Sequence, residues 1–342
     1  MSSSLLSDKQ EIHLTEELEQ ALPLSRKLVP KELLLAPKRS VLLQNALTDW
    51  ACILLFWIGM SVTPTWTYPM WAALVASRVH AFGAILHDLI HMPLRKKTMS
   101  IRLIELLTGY PIGSTLNAMR YHHLRHHKDS GMQTDPYFKK GIKRQPLLFM
   151  FYTLRGMILI LFWIIRSAYG TLAYYLPEMR NSYGRIFLQD RSGRDLTHSE
   201  EVIQCASEER WLLLFHLLIS GGVCLLFPRQ WVFGYLIPLL ITGLLAGYRL
   251  LLEHNYEATT DRKLETIIQS THDHHLQGIG AFFLAPRNIG YHIVHHLHPQ
   301  VAWYHLPNLR KWYVKQYPHL YPEVKKNRIL RAFLQRFHQI FG

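Results

Sequence analysis

The feature that most constrains this chain is the run from Trp231 to Leu252, which is apolar almost without interruption. A helix needs about 20 such residues to cross the hydrocarbon core of a bilayer, and this run is long enough. Met70 to Leu86 continues apolar up to His87, interrupted mainly by Arg78 and His80. Apolar residues gathered into long runs, rather than spread evenly over 342 positions, favour a membrane protein over one or two soluble domains.

Four segments read as spans: roughly Ala46 to Thr63, Met70 to His91, Trp211 to Phe227 and Trp231 to Leu252. They pair into two hairpins. The first turns through Pro64-Thr65-Trp66-Thr67-Tyr68-Pro69, which carries aromatic anchors and no charge, and the second turns at Pro228-Arg229-Gln230. Lys38, Arg39, Arg95, Lys96, Lys97 and Arg102 collect at the other ends of the first hairpin, and that excess of basic residues marks those ends as cytosolic. Leu103 to Leu116 is too short to cross. Leu147 to Leu176 is long enough, but Arg155, Arg166 and several tyrosines interrupt it. A single crossing there would also put the histidines after Leu252 on the opposite side from those before it, so it reads as interfacial or partly embedded. The expected fold is all-α and integral to the membrane: four transmembrane helices in two hairpins, interfacial helices, and a histidine-rich cap on the cytosolic side with both termini.

Residues 1–44 read as a polar cytosolic segment, acidic at Glu11, Glu16, Glu17 and Glu19, without the basic-then-apolar pattern of a cleaved signal; the first span serves for insertion. Residues 45–322 form the membrane domain. Residues 323–342 are a basic tail, where Lys326, Arg328, Arg331 and Arg336 among Ile329, Leu330, Phe333, Leu334 and Phe337 give an amphipathic helix for a membrane surface or for the face of the cap. The formal charge of +14 would suit a nucleic acid in a soluble protein. Here the basic residues flank apolar runs and meet anionic membrane lipids, so no nucleic acid partner is expected. With only Cys52, Cys205 and Cys224, a disulfide framework or a four-cysteine iron–sulfur centre is excluded.

Histidine is the informative residue. Thirteen of the 21 fall into five groups: His87 and His91; His122, His123, His126 and His127; His254; His272, His274 and His275; and His292, His295 and His296. On a helix, His87/His91, His122/His126 and His123/His127 are pairs one turn apart on one face, and His292-Ile293-Val294-His295-His296 repeats the spacing of His123, His126 and His127. A single histidine at a span end serves readily as a polar anchor, but several converging on one face repel if cationic and can share a divalent ion if neutral. With two hairpins all five groups fall on one side of the membrane. Four to six nitrogens fill one transition-metal ion, and these groups offer more, so two ions fit better. Spacing leaves zinc, copper, iron and nickel open, while the scarcity of carboxylates argues against magnesium and calcium. Asp88, Glu253 and Asp273 each stand beside a histidine, and are read first as acceptors that orient an imidazole N–H and second as ligands.

His87-Asp88-Leu89-Ile90-His91, His123-Leu124-Arg125-His126-His127 and Asn288-Ile289-Gly290-Tyr291-His292-Ile293-Val294-His295-His296-Leu297-His298-Pro299 resemble the three histidine boxes of the membrane fatty acid desaturase superfamily. Their order, their separations and His254 on the last span agree over about residues 45 to 320. The resemblance implies two ferrous ions under a cytosolic cap, with O2 as co-substrate. It implies His87, His91, His123, His126, His127, His254, His292, His295 and His296 as ligands. His122 matches a position that varies in the family; His122, His272, His274, His275, Asp88, Glu253 and Asn288 are further candidates, as ligands or as neighbours of ligands. It implies a long-chain lipid substrate and, since no haem-binding His-Pro-Gly-Gly segment or dinucleotide fingerprint is present, a separate electron donor such as ferredoxin or cytochrome b5 with its reductase.

The leading expectation is desaturation of a fatty-acyl chain. Hydroxylation or ketolation of a carotenoid or other lipid needs the same residues. A membrane metal transporter would place ligands near the bilayer midplane, and a zinc lipid hydrolase would need fewer of them.

Overall fold

The apolar runs become long helices. A computed structural model describes residues 25–94, 97–139, 142, 145–274, 276 and 278–321. The expectations for residues 1–24, His275 and the amphipathic tail from Lys325 to Phe341 lie outside these described residues. Helix α1 runs Arg39–Val62, α2 Tyr68–Ile90, α3 Met99–Thr108, α4 Leu116–Asp129 and α5 Pro146–Tyr175. They are followed by α6 Glu200–Leu226 and α7 Pro228–Glu253, then the short α8 Leu264–Ser270, α9 Ile279–Phe283, α10 His292–Leu297 and α11 Leu306–Gln316. No strand occurs among the described residues; one isolated antiparallel bridge joins His254 to Thr271.

Helices α1, α2, α6 and α7 are long and apolar enough to cross a membrane. They begin and end where local chemistry stops them. Pro69 in the first turn of α2 supplies no amide where none is needed, and Pro228 and Pro177 sit at helix starts for the same reason. Two spans extend beyond the apolar runs. α1 begins at Arg39, before Ala46, and α6 at Glu200, before Trp211, because residues such as Gln44 and Glu208 continue a helix as readily outside lipid as apolar residues do within it. α2 has 78 % of its apolar window buried, against 22 % for α1 and 17 % for α6, so α2 is the centre of the molecule and the other two present apolar surface outward.

α5 is a helix bent by 54° between Leu147–Leu159 and Leu161–Tyr175. Its polar interruptions have specific partners. Arg166, fully buried, lies 2.8 Å from the equally buried Glu209 of α6 and donates to the Gly113 carbonyl at 3.1 Å. A buried charge is tolerable only when paired in this way. Gly156 lies against Gly243 and Gly247 of α7, and a Cβ there would overlap the Gly243 carbonyl, so only glycine lets the two backbones approach. Gly113, at φ +72°, ends the 3-10 turn Tyr110–Ile112 in the left-handed region, from which α4 starts with Thr115 Oγ1 accepting the Ala118 amide.

The main core joins α2 to the C-terminal helices. Phe82, Ile85, Leu86, Leu89 and Ile90 pack in one cluster with Ile293, Val294, Leu297, Leu309 and Tyr313, all essentially inaccessible. α10, which carries the third histidine box, thus shares one core with the span that carries the first, and the His87 and His295 rings meet at 4.4 Å.

Candidate metal centre

α2 delivers His87 in its last turn and His91 immediately after it. α4 delivers His123, His126 and His127, and α10 delivers His292, His295 and His296. His254 is no longer helical. It follows α7 in an extended conformation, φ −128° and ψ 147°, held by its bridge to Thr271, by Asn255 N donating to the Ser270 carbonyl (3.1 Å) and by His272 N donating to the Glu253 carbonyl (2.9 Å).

These nine side chains divide into two groups. His87, His91, His123, His127 and His295 form one; His126, His254, His292 and His296 form the other; within each, one nitrogen per ring lies within 4.8 Å of all the rest. The division cuts through two of the boxes for a helical reason. His123 and His127 share a face of α4, whereas His126 points about 100° away from His127; on α10, His292 and His296 share a face and His295 points aside. α4 thus gives its pair to the first group and its single imidazole to the second, and α10 does the reverse. The groups adjoin, with the His127 and His296 rings 4.3 Å apart.

The spacing within each group fits coordination. His127 Nε2 lies 2.9 Å from His123 Nε2 and 3.0 Å from His295 Nε2, and His254 Nε2 lies 3.1 Å from His126 Nε2 and 3.3 Å from His292 Nε2. Donors about 2.1 Å from one ion and at right angles lie about 3 Å apart. The nitrogens are also free to coordinate. His91 Nε2 and both ring nitrogens of His296 are buried and make no hydrogen bond. Burial, and secondarily the nearby Arg120 and His126, brings His91 from 6.5 down to about 3; burial, then His126, brings His254 to about 4. Burial followed by neighbouring imidazoles likewise holds His123, His127, His292, His295 and His296 well below the usual value. Neutral imidazoles with buried lone pairs are what a divalent transition metal requires.

Hydrogen bonds around the nitrogens set their tautomers. His126 Nδ1–H donates to Asp135 Oδ1 at 2.9 Å, and His254 Nδ1–H to the Leu250 carbonyl at 3.1 Å, which leaves both Nε2 lone pairs facing the group. Glu253 Oε2 lies 3.5 Å from His292 Nδ1, and its Oε1 accepts from His274 Nε2 at 2.9 Å with Arg249 Nε at 3.2 Å.

The other candidates among the described residues lie outside both groups. His122 Nδ1 is 2.7 Å from the Tyr137 hydroxyl. His272 and His274 belong to the strand-like segment beside Glu253, and Asn288, at φ 56°, donates to the Trp303 carbonyl at 3.4 Å. Asp88 accepts the Trp303 amide at 3.0 Å and stands 3.9 Å from His87 Nδ1, so it secures the segment after the third box rather than a histidine. Asp273 orients no imidazole either. It accepts the Ile293 amide (2.7 Å), the Tyr321 hydroxyl (2.7 Å) and Arg310 Nε (3.1 Å), pinning the start of α10. Asp135 was not singled out by sequence: no histidine adjoins it in the chain, and only the loop after α4 carries it back to His126.

A cavity of about 190 Å³ reaches the groups, lined by His87, His123, His126, His254 and His292 at one end and by Gly156, Leu159, Trp163, Thr242 and Gly243 along its walls. His80 joins this wall, its Nδ1 2.7 Å from the Phe283 carbonyl. A mainly apolar approach to clustered imidazoles suits oxidation of an apolar chain. The family model described as Fatty acid desaturase matches residues 63–327, which include all nine histidines. No curated protein matches the chain.

Proposed function

Because the chain belongs to the fatty acid desaturase family, we propose that it oxidises an unactivated C–H bond of a long lipid chain with O2, most simply by desaturating a fatty-acyl chain. The family makes it an oxidoreductase, and the four apolar helices together with the family make it a membrane protein. The observation that carries the proposal is the division of nine histidines, seven buried and two half-buried, into two adjoining groups, five and four, each with its nitrogens gathered within 4.8 Å.

His87, His91, His123, His127 and His295 would hold one iron ion, and His126, His254, His292 and His296 the other. When bound there, the two ferrous ions supply the redox chemistry by which O2 takes hydrogen from the chain. The protein's own part is positional. Asp135 and the Leu250 carbonyl fix ring orientation, Glu253 balances charge at His292, and the cavity brings a methylene to the histidines without water.

In this reading the four long helices cross in two hairpins, the histidines form a cytosolic cap with both termini, residues 45–322 are the desaturase-like domain, and residues 1–44 and 323–342 are its flanking segments. The reductant is a separate ferredoxin or cytochrome b5 with its reductase, docking on the basic face.

The test is lipid mass spectrometry, pigments included, on cells expressing the protein beside cells expressing His295→Ala. Loss of two hydrogens from particular acyl chains, absent in the variant, is the expected result. Oxygen added to a carotenoid or another lipid would make it a hydroxylase or ketolase instead, and no difference would overturn the proposal.

A further inference from the structure

A second recess adjoins the cavity. It has a volume of about 460 Å³ and shares Lys139, Tyr152, Arg155, Leu159, Trp163 and Gln189 with the cavity, so the same side chains border both. Besides Lys139 and Arg155, it is lined by Arg185 and Arg191, and no acidic side chain lines it among the described residues. Four cations around one recess repel one another unless an anion joins them. Lys139 shows the strain: burial first, then the charges of Arg191 and Arg155, bring its ammonium from 10.5 down to about 8. Arg191 and Lys139 spend their hydrogen bonds on the carbonyls of Pro136 and Phe138, and the Tyr152 ring lies 5.6 Å from Lys139 Nζ and 5.3 Å from Arg155.

The surroundings indicate what kind of anion. On the first half of α5, Tyr152, Arg155 and Leu159 face the recess, while Leu147, Met150, Phe151, Leu154 and Ile158 follow at helical spacing and are exposed. A basic recess bordered by an exposed apolar stripe is an interfacial arrangement, with charge at head-group level and apolar surface among acyl chains. The recess thus borders the cavity that reaches the two histidine groups.

We propose that Lys139, Arg155, Arg185 and Arg191 bind the anionic head group of the lipid substrate, so that the chain entering the cavity belongs to an anionic glycerophospholipid. This rests on the proposed function, because it makes the cavity's occupant the oxidised chain. The head group anchors at the mouth and the apolar cavity takes the tail, which sets how far along the chain the histidines reach.

The experiment measures binding of spin-labelled phosphatidylglycerol, phosphatidylcholine and diacylglycerol with identical chains to the purified full-length protein in a neutral detergent. The wild type is expected to prefer phosphatidylglycerol on the order of tenfold, a preference that falls with added salt. The double variant K139Q/R155Q is expected to lose it, and the charge-keeping R155K to retain it. Equal binding of the three lipids by the wild type, or a preference that survives in K139Q/R155Q, would overturn the inference. Lipid oxidation by the same wild-type preparation is scored separately. Oxidation without head-group preference removes this inference and leaves the proposed function standing, and preference without oxidation in the presence of a reductant keeps the anionic-lipid site but overturns its occupant as substrate.

Discussion

The two histidine groups differ in what surrounds them. The five-imidazole group has a nitrogen in reserve, and among the described residues its nearest carboxylate is Asp88, 3.9 Å from His87 and engaged with the Trp303 amide. The four-imidazole group has fewer nitrogens but two carboxylates close by, Asp135 on His126 and Glu253 beside His292. One group is supplied with donors and the other with charge. If each group holds an ion as proposed, the two need not hold it equally, and the side chains around the imidazoles are where the asymmetry lies.

The largest expected effect tests donor number. His296→Ala and His254→Ala each leave three imidazoles in the smaller group, and His295→Ala leaves four in the larger. All three are expected to abolish oxidation, but His295→Ala is expected to keep more iron, measured per purified chain, than the other two. Equal losses would break the comparison. Next comes the carboxylate. Asp135→Ala leaves His126 Nδ1–H without its acceptor and is expected to weaken iron binding about 10- to 100-fold, with Asp135→Asn recovering part of the loss. Competition with a chelator reads this directly.

Acid sharpens the contrast in a different way. Free imidazoles titrate near 6.5, whereas His91 and His254 do so in the fold only at about 3 and about 4. Between those values the unfolded chain binds more protons than the folded one. The metal-free protein is therefore expected to lose stability as pH falls below about 6.5, at up to about 1.4 kcal/mol per pH unit for each such group, with no contribution at higher pH. Denaturant midpoints across that range show it. The smallest effect on iron belongs to Asp88→Ala, which leaves the buried Trp303 amide without an acceptor. It is expected to cost about 1–3 kcal/mol in stability and to change iron affinity little.

Much of this was legible in the order of residues. Trp231 to Leu252 and Met70 to Leu86 announce spans by length, and pairs such as His87/His91 and His292/His296 announce a shared face by helical period. Asp135 was not legible, because its relation to His126 depends on the turn after α4. Asp88 and Asp273 take partners from elsewhere in the chain, the Trp303 amide for one and the Ile293 amide, Tyr321 and Arg310 for the other, and Glu253 meets His292 and His274 rather than its neighbour His254, because chain adjacency does not fix which ring a carboxylate faces. Arg166 read as a break in an apolar run until Glu209, from another helix, was seen to meet it.

By itself the sequence determined local, periodic properties: which segments are helical and apolar enough to cross a membrane, and that thirteen histidines cluster near their ends, from which the family resemblance implies nine as donors. Only the tertiary structure decided how those nine divide, that His254 leaves its helix to join three others, and which carboxylates reach them. The physical reason is that a helical period fixes directions within one helix, while the common core that holds Ile293, Val294 and Leu297 with the apolar face of α2 fixes which of those directions meet.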